Sequence, residues 1–174
     1  GGRFQHEFDL PLDAEFVGFR AARRVEGAIA ELRLSPRDVV ETRKRFPAGT
    51  VLSAAVYLPA QMFFHDSYAY PEARGFWVKG RTTARMTMLK ARESDPAILL
   101  TVHSGARPNV VTLATRDWTQ KLELVPGVTQ RVAVPSKDGE RYIPLTITST
   151  DGFVPAEVEQ SRDRRLLGAW IAFI

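Results

Sequence analysis

Residues 98–148 read ILLTVHSGARPNVVTLATRDWTQKLELVPGVTQRVAVPSKDGERYIPLTIT, and the period-two alternation in this stretch decides the fold class. Ile98 to Ser104, Asn109 to Thr115, Trp118 to Leu124, Thr129 to Val134 and Tyr142 to Thr148 are short apolar–polar runs that put one side inward and the other toward water. Arg116-Asp117, Pro126-Gly127 and Lys137-Asp138-Gly139 stand between them, residue types that preset or tolerate turn dihedrals. Strands spaced at roughly 8–12 residues leave no room for crossover helices, so an antiparallel sheet follows.

The same reading extends upstream. Gly75 to Val78 and Thr83 to Leu89 are strands, and Thr50 to Tyr57 and Gln61 to His65 flank a break at Pro59. Phe16 to Arg20 is the first plausible strand. In Ala30 to Ser35, Ala30, Leu32 and Leu34 point inward while Glu31 and Arg33 point to water. Ser35-Pro36-Arg37-Asp38 has the hydroxyl, proline and acid of a helix start, whereas Val39 and Val40 favour a strand; the segment is undecided. The expected fold is all-β, an antiparallel two-sheet sandwich of jelly-roll-like type. One domain over residues 1–174 is expected, with Gly1 and Gly2 read as a cloning remnant and a targeting or membrane segment expected to precede this stretch in the natural chain.

Composition bounds the function. The 174 residues, 44% hydrophobic and 25% charged, are those of an ordinary globular protein. No apolar run approaches the roughly 20 residues of a membrane-spanning helix. The absence of cysteine excludes disulfides and thiolate metal sites. The net charge of +4 is carried by scattered arginines without a nucleic-acid recognition motif, and no nucleic-acid partner is expected.

Catalytic chemistry finds little support. His6, His65 and His103 are the available neutral-pH acid–base groups. His65-Asp66-Ser67 holds the residue types of a hydrolase triad, but adjacent residues do not converge as a triad does, and no nucleophile elbow is present. His65 and Asp66 are expected instead to close a strand and satisfy backbone groups in the following loop. His103, beside Ser104-Gly105, reads as a hydrogen-bonded strand-end histidine. No metal-ligand spacing occurs, although Asp138-Gly139 or Asp151-Gly152 could join an irregular calcium site; no cofactor or metal is expected.

A binding role is better supported by residue type. Sugars are held by aromatic rings against their C–H faces and by polar side chains on their hydroxyls. The candidates are His65, Asp66, Tyr68, Tyr70, Arg74 and Trp118, drawn from the aromatic-polar run Phe63 to Tyr70 and from the Arg116-Asp117 turn. The competing role for these rings is to plug one end of the sandwich. Trp77 and Trp170 are expected in the core, and Trp118 is the tryptophan best placed for exposure. Asp151 to Arg165, charged and poor in strand signals, is read as a long loop in which Arg162, Arg164 and Arg165 could meet an anion. In the closing strand, Leu166 to Ile174, Trp170 and Ile174 face one way and Ile171 and Phe173 the other. Apolar residues on both faces require cover on both, from that loop or from a missing part of a parent chain.

Gly75-Phe76-Trp77-Val78, His103-Ser104-Gly105 with Pro108 to Leu113, Leu124-Val125-Pro126-Gly127, Gly152 to Glu157 and Asp163 to Trp170 together resemble a bacterial domain type that follows multi-pass, glycosyltransferase-like membrane regions. The resemblance covers roughly half the chain, and its motifs are strand ends, turns and a closing strand, so no catalytic residue is carried over. It implies a carbohydrate-binding-module-like sandwich on the periplasmic or extracellular face of the membrane. The partner would be carbohydrate or a parent membrane protein, and the role accessory. The alternatives are a hydrolase with its site at the sandwich end and a purely structural domain.

Overall fold

The computed structural model describes residues 50–57, 60–92 and 94–174, which belong to the unit Ala48–Ile174. The expected strands Phe16 to Arg20 and Ala30 to Ser35, the undecided segment from Ser35, and His6 lie outside the described residues. Eleven strands follow in chain order: β1 (Ser53–Tyr57), β2 (Ala60–Phe64), β3 (Ala69–Glu72), β4 (Gly75–Lys79), β5 (Thr82–Lys90), β6 (Ala97–Ser104), β7 (Asn109–Ala114), β8 (Thr119–Leu124), β9 (Thr129–Pro135), β10 (Tyr142–Ser149) and β11 (Leu167–Phe173). One short helix, α1 (Pro155–Val158), interrupts the segment before β11. The strands form a six-stranded sheet in the order β1-β2-β5-β10-β7-β8 and a five-stranded sheet in the order β3-β4-β11-β6-β9. The protein is an all-β, antiparallel two-sheet sandwich.

Alternation explains which side of each strand is buried. In β5, Ala84, Met86 and Met88 point into the core, and Ile143, Leu145 and Ile147 do so from its neighbour β10. From the five-stranded sheet, Phe76, Val78, Val102, Ile171 and Val134 face them in the same apolar cluster. Burying such side chains contributes about 1.5–3 kcal/mol each before the entropy of ordering the chain is subtracted.

Pro144 lies inside β10, a strand with neighbours on both sides, yet it breaks no hydrogen bond on the β7 side. Pairing between β10 and β7 begins only at Thr146↔Ala114, so among the described residues the strand is already an edge there at Pro144, where a missing N–H is tolerated. The chain of β7 turns away at Ala114, and Thr115 N–H donates to the Trp118 carbonyl to close the turn into β8.

Asn109, at the start of β7, ties the end of the sandwich together. It is 5% exposed. Its amide nitrogen donates to Ser149 Oγ (2.8 Å) and to the Gly168 carbonyl (2.9 Å), with Asp151 O at 3.1 Å, while its Oδ1 accepts from Asp151 N–H (3.0 Å). One side chain thus joins strands of both sheets and the segment after β10. Gly168 is required at this place: β11 shifts register between Leu167 and Ala169, and a Cβ at the bulge would run into the Ser149 hydroxyl.

The closing strand is central to its sheet, between β4 and β11's other neighbour β6. Ala169 and Ile171 sit in the core and Phe173 packs partly against it, with the Phe173 ring stacked on Tyr57 at 5.1 Å between centroids. Trp170 takes the opposite face. Cover there comes in part from strand neighbours and in part from the loop, whose Phe153 bridges to Leu167 by paired backbone hydrogen bonds of 2.8 Å.

Candidate functional site

The core role expected for Trp77 and Trp170 does not hold. Phe76 and Val78 flank Trp77 and take the buried side of β4, and Ala169 and Ile171 do the same around Trp170 on β11. Both indoles therefore stand on the outer face of the five-stranded sheet, half-buried rather than interior. The registers Tyr70↔Trp77, Trp77↔Trp170 and Trp170↔His103 place four rings in one row across β3, β4, β11 and β6. At about 4.8 Å between strands, the row is about 14 Å long, the scale of a short oligosaccharide.

The rings support one another edge to face. Trp77 and Trp170 have centroids 5.4 Å apart at 61°, and Trp77 meets His103 at 5.8 Å and 83°. Phe153 adds a further edge contact to Trp77 at 5.9 Å, and it can lie there because residue 105 is glycine: a Cβ would fall inside its ring. The His103 Nδ1–H donates to the Ser104 carbonyl (2.8 Å). The row is thus built of oriented rings rather than free rotors.

Charged groups border it. Arg165 donates from Nε and Nη2 to the Asp163 carboxylate and from Nη2 to Glu72 Oε1 (2.8 Å), and its guanidinium lies 5.1 Å from the centre of the Tyr70 ring. The hydrogen bonds from Arg165 hold the Asp163 carboxyl below its ordinary value, and the same bonds to Asp163 raise the Arg165 guanidinium further. The expected loop arginine therefore fastens its own loop to β3, while Arg162 and Arg164 are exposed. Lys79 Nζ stands 5.8 Å from the Tyr68 ring.

The candidates read from the sequence are divided between the two sheets. His65 and Asp66 belong with β5: His65 Nδ1 donates to the Thr50 carbonyl (2.7 Å) and its Nε2 lies 2.8 Å from the Thr87 hydroxyl. Asp66 accepts from Tyr68 N–H through Oδ1 and from Arg85 N–H through Oδ2. Both residues thus close a strand and satisfy groups beside the loop, in the way their positions imply. Tyr68 and Tyr70 go with the other sheet, Tyr68 just before β3 and Tyr70 within it. Arg74 is exposed in the turn from β3 to β4. Trp118 is half-buried, as Trp77 and Trp170 are, and packs against the core. The opposite phase of Trp77 to Phe76 and Val78 was the available signal for the aromatic row; the neighbour relations that join four strands were not in it.

Among the described residues no group of histidine and acidic side chains is placed to hold a metal ion, and no helix is long and apolar enough to cross a membrane. No protein-family model and no curated protein matches this chain.

Proposed function

We propose that this domain is a non-catalytic accessory module that binds carbohydrate in bacterial cell-envelope glycan metabolism, on the periplasmic or extracellular side of the membrane. The observation that carries the reading is the row Tyr70–Trp77–Trp170–His103 on an outer sheet face. Half-buried rings on an outer sheet face offer apolar surface to sugar C–H groups, and the carboxylate of Glu72 and the cations of Arg165 and Lys79 offer hydrogen bonds at its border. The strand orders β4-β11-β6-β9 and β5-β10-β7-β8 support the finer assignment to a jelly roll, since successive strands from β4 to β11 change sheet at every step but the β7–β8 hairpin, as in a double Greek key. The engagement of His65 and Asp66 with strand-end groups supports a role without catalysis. The envelope setting rests on the family resemblance in the second half of the chain.

A panel of neutral oligosaccharides, titrated while the indole N–H signals of the three tryptophans are followed by NMR, tests the reading. The expected result is a glycan that shifts the Trp77 and Trp170 signals, with binding weakened about tenfold or more in Trp170→Ala, a change of about 1.4 kcal/mol. A folded wild type whose Trp77 and Trp170 signals respond to no glycan would reject it and leave a domain that packs on a parent membrane protein.

A further inference from the structure

The early end of β7 leaves a second feature on the other sheet, unrelated to the aromatic row. Because β7 stops at Ala114, no strand among the described residues lies beside Pro144 on that side, and a shallow groove of about 380 Å³ opens on the outer face of the six-stranded sheet. Pro144 and Ala114 supply apolar lining, Arg85 and Arg116 are its cations, and Thr146 and His65 are among its polar groups. The volume falls at the small end of the range for small-molecule sites.

The cations are held differently. Arg85 is anchored from behind: Asp66, whose side chain is only 10% exposed, accepts from the Arg85 backbone N–H (2.9 Å) and approaches its Nε at 3.4 Å, while the Arg85 side chain is 68% exposed. A buried carboxylate on the Nε side leaves the guanidinium's terminal nitrogens for a second partner. Arg116 projects from the β7–β8 turn, where the adjacent Asp117 is engaged by Lys137. The Thr146 hydroxyl donates to the Ala114 carbonyl and so keeps an acceptor edge.

We propose that this groove binds a small oxyanion-bearing ligand, a sugar carrying a carboxylate or a phosphate, with the anion between Arg85 and Arg116 and the ring against Pro144. Guanidinium groups match both oxyanions by paired N–H donors, and charge-assisted bonds of this kind are the strong ones. The apolar lining accounts for a ring rather than a bare ion. The site is independent of the aromatic row: neutral glycans belong there and charged units here.

The test uses the full chain in amide-detected NMR titrations with glucuronate, glucose 1-phosphate, inorganic phosphate and, as the neutral control, methyl glucoside. Glucuronate or glucose 1-phosphate is expected to shift the amides of Ala114, Thr115 and Thr146, the more effective of the two identifying the source of the anion, with inorganic phosphate weaker. Arg116→Gln and Arg85→Gln are each expected to weaken that binding about tenfold or more, and higher salt to weaken it further. Arg116 is in an exposed turn, so its variant keeps the test valid if Arg85→Gln fails to fold. Methyl glucoside acting as well as the anions, anions that leave these amides unmoved, or an affinity unchanged in Arg116→Gln would each overturn the proposal.

Discussion

Replacing Asn109 by Ala should be among the most damaging single changes in the sandwich, although it removes no apolar surface. The side chain donates to Ser149 Oγ and the Gly168 carbonyl and accepts from Asp151 N–H. Each such bond contributes about 1 kcal/mol net, and a buried group left without its partner costs about 1–3 kcal/mol. Ser149 is 1% exposed and retains its own bond to the Asp151 carbonyl (2.8 Å), so its loss is small. The Gly168 carbonyl and the Asp151 N–H carry the larger penalty. The sum is about 3–5 kcal/mol, a large part of a stability that is about 5–15 kcal/mol for ordinary domains. With a urea dependence of about 2 kcal/mol per molar, the unfolding midpoint should fall by about 2 M. Equilibrium urea unfolding followed by circular dichroism measures this. Asn109→Asp keeps an acceptor for Asp151 N–H but loses both donors and buries a charge, and should lose at least as much. A loss below about 1 kcal/mol in Asn109→Ala would refute the reasoning, because it would mean that water reaches these groups and the clamp does not join the sheets.

Three further outcomes follow from single positions. Gly105→Ala should displace the Phe153 ring that occupies the space of its Cβ, costing about 1–3 kcal/mol and changing tryptophan fluorescence through Trp77; Gly127→Ala, at a φ of 78° with open space around it, should cost about 1 kcal/mol and leave fluorescence alone. Tyr57, buried and donating to the Gly75 carbonyl at 2.7 Å, has its phenol raised above the ordinary value, first by burial and then by the charge of Glu72. A raised folded-state value means that this stability is fully present below about pH 10 and is lost as pH climbs through the folded value. Thermal unfolding of Tyr57→Phe should show a loss of about 1 kcal/mol at neutral pH and a shallower alkaline decline than wild type; equal alkaline slopes would contradict the assignment.

How much of this was legible depends on the range of the interaction. The strands from residue 75 to 148 were, because period-two alternation is a local pattern that any half-buried strand must show. Their bounds moved by only a residue or so, as at Thr119, where Trp118 belongs to the turn. The strand Ala69–Glu72 was hidden, since its Pro71 and exposed polar residues are typical of a loop and are tolerated because it is an edge strand of its sheet. His65 and Asp66 were readable as strand-end residues from their sequence neighbours alone. The aromatic row was not. Trp77, Trp170, Tyr70 and His103 are distant in sequence, and large apolar rings are most often core.

By itself, then, the sequence determined the class: short alternating strands, turn residues between them and no crossover helices require antiparallel sheets with one side buried. It also determined the phase of each strand, and so which side of β4 or β11 a residue occupies once the buried side is known. Tertiary structure alone decided which strands are neighbours. That choice rests on long-range hydrogen bonding and on contacts such as Asn109 with Gly168, separated by 59 residues, which no local pattern encodes. It put Trp77 beside Trp170, ended β7 short of Pro144, and so formed both the aromatic row and the groove between Arg85 and Arg116.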